Sequence, residues 1–354
     1  MKNTIKMIGI ITMVAVIGFS MVACGGDDSG DPNPNPDNGG GTKKWTEATY
    51  IATSMTYYAI SQIIFANGKF IAVGDAGVAT STDGVTWAKL SDRDFSAIAY
   101  GDNKFYAVSS NGKISTSSDG TTWTDETSGV SATFGNYCTF KSIVYANNKW
   151  VAVGDDRIGE NTSGTWVAAT KGTGDDEPDF SSIYFPAKVI WGNNRFIAVG
   201  RGARVAATDS TGKWIKITSN YFDVTNNNLN SVVWGKDKFV VGGGILLAYS
   251  ATGDSGTQIS TSPGWDNISA THVTDIFGAN GVYSLAYENG KWMGGGLGCV
   301  ATSTDGKVWA TDDKASFGTT TTDMQVIQGL VYGAGKWVAY SMEKVYYKAE
   351  AAAE

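Results

Sequence analysis

The sequence predicts an all-β chain in which seven four-stranded antiparallel units close into a ring. Three observations predict it. One hairpin pattern returns seven times, a short turn word recurs between those hairpins, and the strand missing from the last unit stands near the start of the chain. Composition agrees: charged residues make up 17%, with 45 glycines, 6 prolines and 12 tryptophans. Such a chain suits short strands joined by tight turns, and neither a helical bundle nor a disordered coil. The net charge of −7 argues against general attraction to nucleic-acid phosphates, and no Lys/Arg run offsets it.

The chain starts with a segment outside the ring. Lys2 and Lys6 precede the apolar run "MIGIITMVAVIGFSM", which is short for a membrane span, and "MVAC" ends at Cys24. This resembles the lipobox of bacterial lipoproteins, so residues 1–23 are expected to be a signal peptide and Cys24 the lipidated residue. Several acyl chains anchor stably where one does not. Residues 24–44, rich in Gly, Pro, Asn and Asp, have nothing apolar to bury and read as a flexible linker. The expected location is the bacterial cell envelope, at the outer membrane or cell surface rather than the periplasmic face of the inner membrane.

The hairpin pattern comes next. "IIFANGKFIAVG" (63–74) is echoed by "IAYGDNKFYAVS" (98–109), "IVYANNKWVAVG" (143–154) and "VIWGNNRFIAVG" (189–200). Looser copies follow at 232–243, 285–296 and 330–341. The basic residue after each turn is Lys69, Lys104, Lys149, Arg195, Lys238, Lys291 or Lys336. Intervals of roughly 35–53 residues match the period of propeller blades. Asn-Gly, Asp-Asn and Asn-Asn tolerate the positive φ that two-residue hairpins need. In the first unit a third strand, "GVATS" (77–81), leads through a "TDG" turn to a fourth opening on Trp87. The seventh unit supplies three strands, ending in "KVYYKAE". "KWTEAT" (44–49) matches "TWTDET" (122–127) and is expected to complete it, closing a seven-bladed β-propeller over residues 45–348 and leaving 349–354 as a tail.

The turn word reads "STDGVTW" at 81–87, "SSDGTTW" at 117–123 and "STDGKVW" at 303–309, with degenerate copies ending at Trp166, Trp214 and Trp265. It resembles the Asp-box, or bacterial neuraminidase repeat, of sialidase-type propellers and of non-enzymatic propellers such as photosystem assembly factors. Asp83, Asp119 and Asp305, with Trp87, Trp123 and Trp309, are read as structural. A carboxylate there accepts backbone N–H bonds, and the indole packs between sheets. Alternation puts this turn on the face of the first hairpin turn, so Lys69 and Asp83 are expected near one another.

Ligand binding is expected where blades differ, on the opposite face. Five connections there are long: 126–141, 170–187, 218–230, 267–283 and 311–328. Candidate binding residues are Asp75, Asp155, Asp156, Arg157, Tyr184, Arg201, Arg204, Tyr221, Phe222 and Glu343. Aromatic faces with carboxylates and arginines suit a protein loop or a sugar.

The sialidase resemblance implies three arginines on a sugar carboxylate, a tyrosine nucleophile paired with a glutamate, and an aspartate acid/base. The sequence holds only Arg93, Arg157, Arg195, Arg201 and Arg204, and the family's Phe-Arg-Ile-Pro word is absent. No catalytic residue is carried over. The single histidine, His272, falls in "ATHVTD", read as a loop, and no phosphate loop, zinc spacing or EF-hand word is present. Cys138 and Cys299 read as small buried hydrophobes. The expectation is a monomeric, non-enzymatic protein-binding or scaffolding module without metal or cofactor, unconnected with nucleic acid and held to a membrane by its lipid. A carbohydrate-binding propeller, with or without glycoside hydrolase character, and an assembly factor for a membrane complex are the alternatives.

Overall fold

The structure, a computed structural model, describes residues 44–50, 60–75, 77–127, 129–135, 138–155, 157–173, 178, 187–219, 222, 228–255, 265–313, 315–318 and 324–350. The expected signal peptide (1–23), Cys24 and the expected linker lie outside these residues, as do Asp156, Tyr184 and Tyr221.

Seven antiparallel sheets follow one another around a ring. In the first blade, strand A is Ile60–Ala66, B Lys69–Gly74, C Gly77–Ser81 and D Thr86–Ser91. The hairpin turns carry the positive φ that their sequences predict: Asn67 at 50° and Gly68 at 76°, with Asn147 and Asn148 at 49° and 56°. Strand A of each blade touches strand A of the next, and the seventh (Gly329–Gly333) touches the first, so the ring is closed. The seventh blade takes its outer strand from Thr46–Glu47, which pairs with Val345–Ala349 through Thr46↔Tyr347 and Glu47↔Tyr346. This closure removes the open edge between first and last blades. Thr49–Tyr50 then runs parallel to Thr86–Trp87 on the rim of the first blade.

The core consists of the joints between blades. Each blade sets an aromatic of strand A directly opposite one of strand B, as in Phe65↔Phe70, Tyr100↔Phe105 and Trp234↔Phe239. Their centroids lie 4.7, 4.5 and 4.4 Å apart, in tilted contact. The strand A ring also presses on the inner strand of the preceding blade, and in four blades the position beneath it is a glycine with no room for a Cβ. A Cβ on Gly101 would meet Tyr145 at 2.3 Å, and one on Gly235 would meet Tyr287 at 2.0 Å. At the start of strand D, Trp87, Trp123, Trp166, Trp214, Trp265, Trp309 and, for the last blade, Trp45 are buried. Truncating one costs about 3–5 kcal/mol. Cys138 and Cys299 are buried thiols outside any disulfide, as expected.

Two of the long connections hold helices that the sequence reading treated as loops. Ser269 caps Ala270–Phe277 by accepting from the His272 N–H, and Val273, Ile276 and Phe277 share an apolar stripe. Phe277 packs on Trp309 at 5.9 Å, over Gly294. Val130–Phe134 repeats the device: Phe134 lies 5.7 Å from Trp166, over Gly159. Both helices plug the flank of the ring between blades, so two of the five long connections serve packing.

Candidate functional site

The carboxylate of the turn motif is held the same way wherever the motif is complete. Asp83 Oδ1 accepts from the N–H groups of Val85 and Thr86, both at 2.9 Å, and from the Ser81 hydroxyl. Ser81 Oγ accepts from Gly84 N at 2.8 Å, and the Trp87 indole donates to the Gly84 carbonyl. The Asp119 and Asp305 carboxylates reproduce these bonds within about 0.1 Å, and the Trp309 indole repeats the bond to glycine, whereas the Trp123 indole N–H is buried without a partner among the described residues. Burial pushes the Asp83 carboxyl up, but the donors from Thr86, Val85 and Ser81, with Lys336 nearby, hold it below its ordinary value of 3.8. The Thr122 N–H leads the groups that hold Asp119 well below the same value. Degenerate blades substitute other acceptors: Asn161 Oδ1 accepts from Gly164 N, Asp209 Oδ1 from Thr211 and Lys213, and Ser250 Oγ from Gly253.

Lys69 does not pair with Asp83 of its own blade. Its ammonium donates to the Asp119 carbonyl of the next blade, because blade twist carries the first hairpin turn over its neighbour. Lys238 likewise reaches the Asp305 carbonyl at 2.8 Å, Arg195 the Asp254 carboxylate, and Lys291 the carboxylate of Glu350 at 2.7 Å. Lys336 of the last blade acts on Asp83 of the first. The repeated base is therefore a fastening from each of these blades to the next. Glu350, beyond the expected end of the propeller at 348, also accepts from the Trp337 indole and belongs to this ring of contacts.

The opposite face is irregular. Asp75 is exposed on the first blade, and Asp94, which sequence reasoning missed, stands near it. Burial and then Asp75 raise the Asp94 carboxyl, whose Oδ1 is buried without a hydrogen bond. Asp155 is spent locally, its Oδ2 accepting from Thr139 N at 2.7 Å. Arg157 is exposed and leans toward the Thr133 carbonyl at the end of the short helix. Arg201 is exposed in a 3-10 turn, Arg204 half-buried beside it, and Glu343 exposed on the last blade. Phe222 departs from its expected place on the binding surface. It is 7% exposed and packs edge-on against Trp265 at 5.2 Å, because the degenerate fifth blade needs its ring as core.

The arginines do not assemble a carboxylate-gripping set. Arg93 is held by Asp125 and Ser115, and Arg195 by Thr208, Thr252 and Asp254. His272 sits on the helix, where its Nε2 accepts from Trp309 N at 3.3 Å. Among the described residues no group of three or more His, Cys, Asp or Glu side chains is arranged to hold a metal.

These features define a closed seven-bladed β-propeller with one face given to blade-to-blade fastening and the other free to vary. Residues 33–166 match the family described as the DUF6242 beta propeller domain. Similar folds include the extracellular domain of the putative hybrid two component system BT4673 from B. thetaiotaomicron, with TM-score 0.65 and 12% identity over 88% of this chain. The chain spans only 40% of that protein's length. YCF48 bound to D1 peptide aligns with TM-score 0.60 and 15% identity, covering 88% of this chain and 96% of the other. Virginiamycin B lyase from Staphylococcus aureus aligns with TM-score 0.60 and 11% identity, covering 87% and 99%. No curated protein matches the chain. At these identities the likeness is one of fold, and one fold carries unrelated functions.

Proposed function

We propose that this chain is a lipid-anchored, exported propeller that acts as a non-enzymatic protein-binding or scaffolding module through its long-loop face. The observation that carries the reading is the placement of the chain ends. Lys44 stands just before the outer strand of the last blade and Glu350 just after the strand beside it, where the Glu350 N–H donates to the Gly335 carbonyl of a hairpin turn. Both ends thus lie on the fastening face. A linker of the Gly/Pro/Asp composition after Cys24 has a root-mean-square span of about 25 Å, less than the width of a propeller. An anchor at Cys24 holds the fastening face toward the membrane and presents the irregular face outward. Similarity to an extracellular sensor domain and to a propeller solved with a bound peptide supports this reading. Among the described residues no helix is long and apolar enough to cross a membrane.

Site-specific photocrosslinking in intact cells tests it. Crosslinkers at Asp75, Arg201 and Glu343 should trap a discrete protein adduct, and one at Lys104 on the fastening face should not. Adducts confined to Lys104 would overturn the assignment. A glycan array should be blank, and a saturable hit there would replace a protein partner with a sugar.

A further inference from the structure

Neighbouring innermost strands cap one another at three joints of the ring. There the residue four before the last position of strand A accepts the inward-pointing N–H of the next blade, whereas the same row holds Ala97, Ser284 and Gly329 in three other blades. Gln62 Oε1 accepts from Ile98 N at 2.9 Å, Ser142 Oγ from Val189 N at 3.3 Å and Ser231 Oγ from Leu285 N at 3.0 Å. At the joint between the fourth and fifth blades this row holds Lys188, whose register partner is Val199. An ammonium has three donors and no acceptor. The equivalent N–H, that of Val232, therefore receives no cap from it.

Lys188 has no hydrogen-bond or ion-pair partner among the described residues. It is half-buried at the first position of an innermost strand, at the long-loop end of the ring. Burial pushes its ammonium below the ordinary lysine value of 10.5. The side chain lies on the side of the strand that faces the fifth blade, as Gln62, Ser142 and Ser231 do in their blades, and Ile190 on the same side packs against the cluster that joins the fourth and fifth blades. The next row down the channel is apolar and half-buried at Ile64, Val144, Ile190 and Val233. An unpaired cation and a bare N–H thus stand at the long-loop mouth of a channel with apolar walls beneath.

We infer that the Lys188 ammonium and the Val232 N–H form a carboxylate site at the channel mouth, taking an acid whose apolar body lies against Ile190 and Val233. One positive charge and one peptide donor match a single carboxylate. A phosphate would call for more donors and no apolar wall. The carboxylate comes from a small apolar acid or from the chain terminus of a protein partner. This inference deepens the reading of the long-loop face as the binding face, and rests on it.

The test uses full-length protein in mild detergent, reductively methylated with a carbon-13 label and observed by NMR at constant ionic strength. The resonance absent from Lys188→Gln identifies Lys188. Hexanoate, hexylamine as the charge-reversed control, and a five-residue peptide ending in leucine, with free or amidated terminus, are titrated in turn. The expected result is a saturable shift of that resonance with hexanoate or with the free-acid peptide, and none with hexylamine or the amide. Unlabelled Lys188→Gln should bind the same probe at least about tenfold more weakly by calorimetry, the loss expected of one charge-assisted hydrogen bond. Saturation by hexanoate assigns a small acid, and a response to the peptide alone assigns a protein terminus. No saturable shift with any probe, or equal affinity in Lys188→Gln, overturns the site. Crosslinking from Asp75, Arg201 and Glu343 repeated in Lys188→Gln separates the two ideas. Adducts that persist while the carboxylate response is missing leave the face standing without this site, and loss of all adducts removes the face as well.

Discussion

On the fastening face of the ring, blade after blade does the same thing; on the long-loop face, no two blades agree. Asp83, Asp119 and Asp305 make the same bonds at nearly the same distances, and where the word decays Asn161, Asp209 or Ser250 still supplies an acceptor for the turn. The other face has an acidic pair at Asp75 and Asp94, a helix end stapled by Arg157, and an unpaired Lys188. A ring is stable only if each joint is made, so selection for folding produces periodicity. A ligand breaks the rotational equivalence, so binding chemistry sits where periodicity fails.

The largest effect that tests this contrast comes from the tryptophans. Trp87→Ala should lower unfolding free energy by about 3–5 kcal/mol in urea titration, whereas Arg201→Ala, on an exposed turn, should stay within about 0.5 kcal/mol of wild type. Equal losses would mean that the irregular face also holds the ring together.

A middle-sized effect comes from the turn carboxylates. Asp119→Ala removes the acceptor for two exposed N–H groups and should cost about 0.5–1.5 kcal/mol, with crosslinking from the loop face unchanged. The folded-state value of Asp119 lies below 3.8, so its contribution is fully present above that pH and lost as pH falls through the folded value. Wild type should therefore lose stability below about pH 4 more steeply than the variant. A variant that melts normally yet loses its crosslinks would reverse the structural reading of the motif.

Sequence periodicity made the ring visible, because each hairpin turn needs particular residues for its positive φ and each outer strand starts on an indole. The closing strand at Thr46–Glu47 was legible for the same reason: its residues fit the missing slot. The direction of the Lys69 contact was not, since twist between blades leaves no mark on a single repeat. The helix at Ala270–Phe277 was hidden by a connection with Gly on both sides, although Ser269 followed by Val273, Ile276 and Phe277 carries a cap and an apolar stripe. Phe222 looked like a surface aromatic because a loop sequence does not reveal which core lacks a ring. The candidate site was legible as a face but not as chemistry. Lys188 acquires meaning only when the caps at Gln62, Ser142 and Ser231 show what a side chain in its row can do.

One residue breaks the pattern from within the inner strands. The last position of strand A is Ala66, Gly101, Ala146, Gly192, Gly235 and Gly333 in six blades but Glu288 in the sixth. Its carboxylate turns toward the closing blade and accepts from Tyr332 N. Burial outweighs that hydrogen bond and pushes the carboxyl up to about 7. The folded chain then holds this proton more tightly than the unfolded chain, so the contribution is fully present below 4.5 and lost as pH rises through about 7. Glu288→Gln keeps an acceptor for Tyr332 and removes the titration. It should gain on wild type by about 1–2 kcal/mol at pH 8 and by almost nothing at pH 4.5, read as the difference between paired urea curves. A gain independent of pH would show that the side chain's size rather than its charge is at odds with the joint. The sixth blade would then differ from its neighbours only in packing.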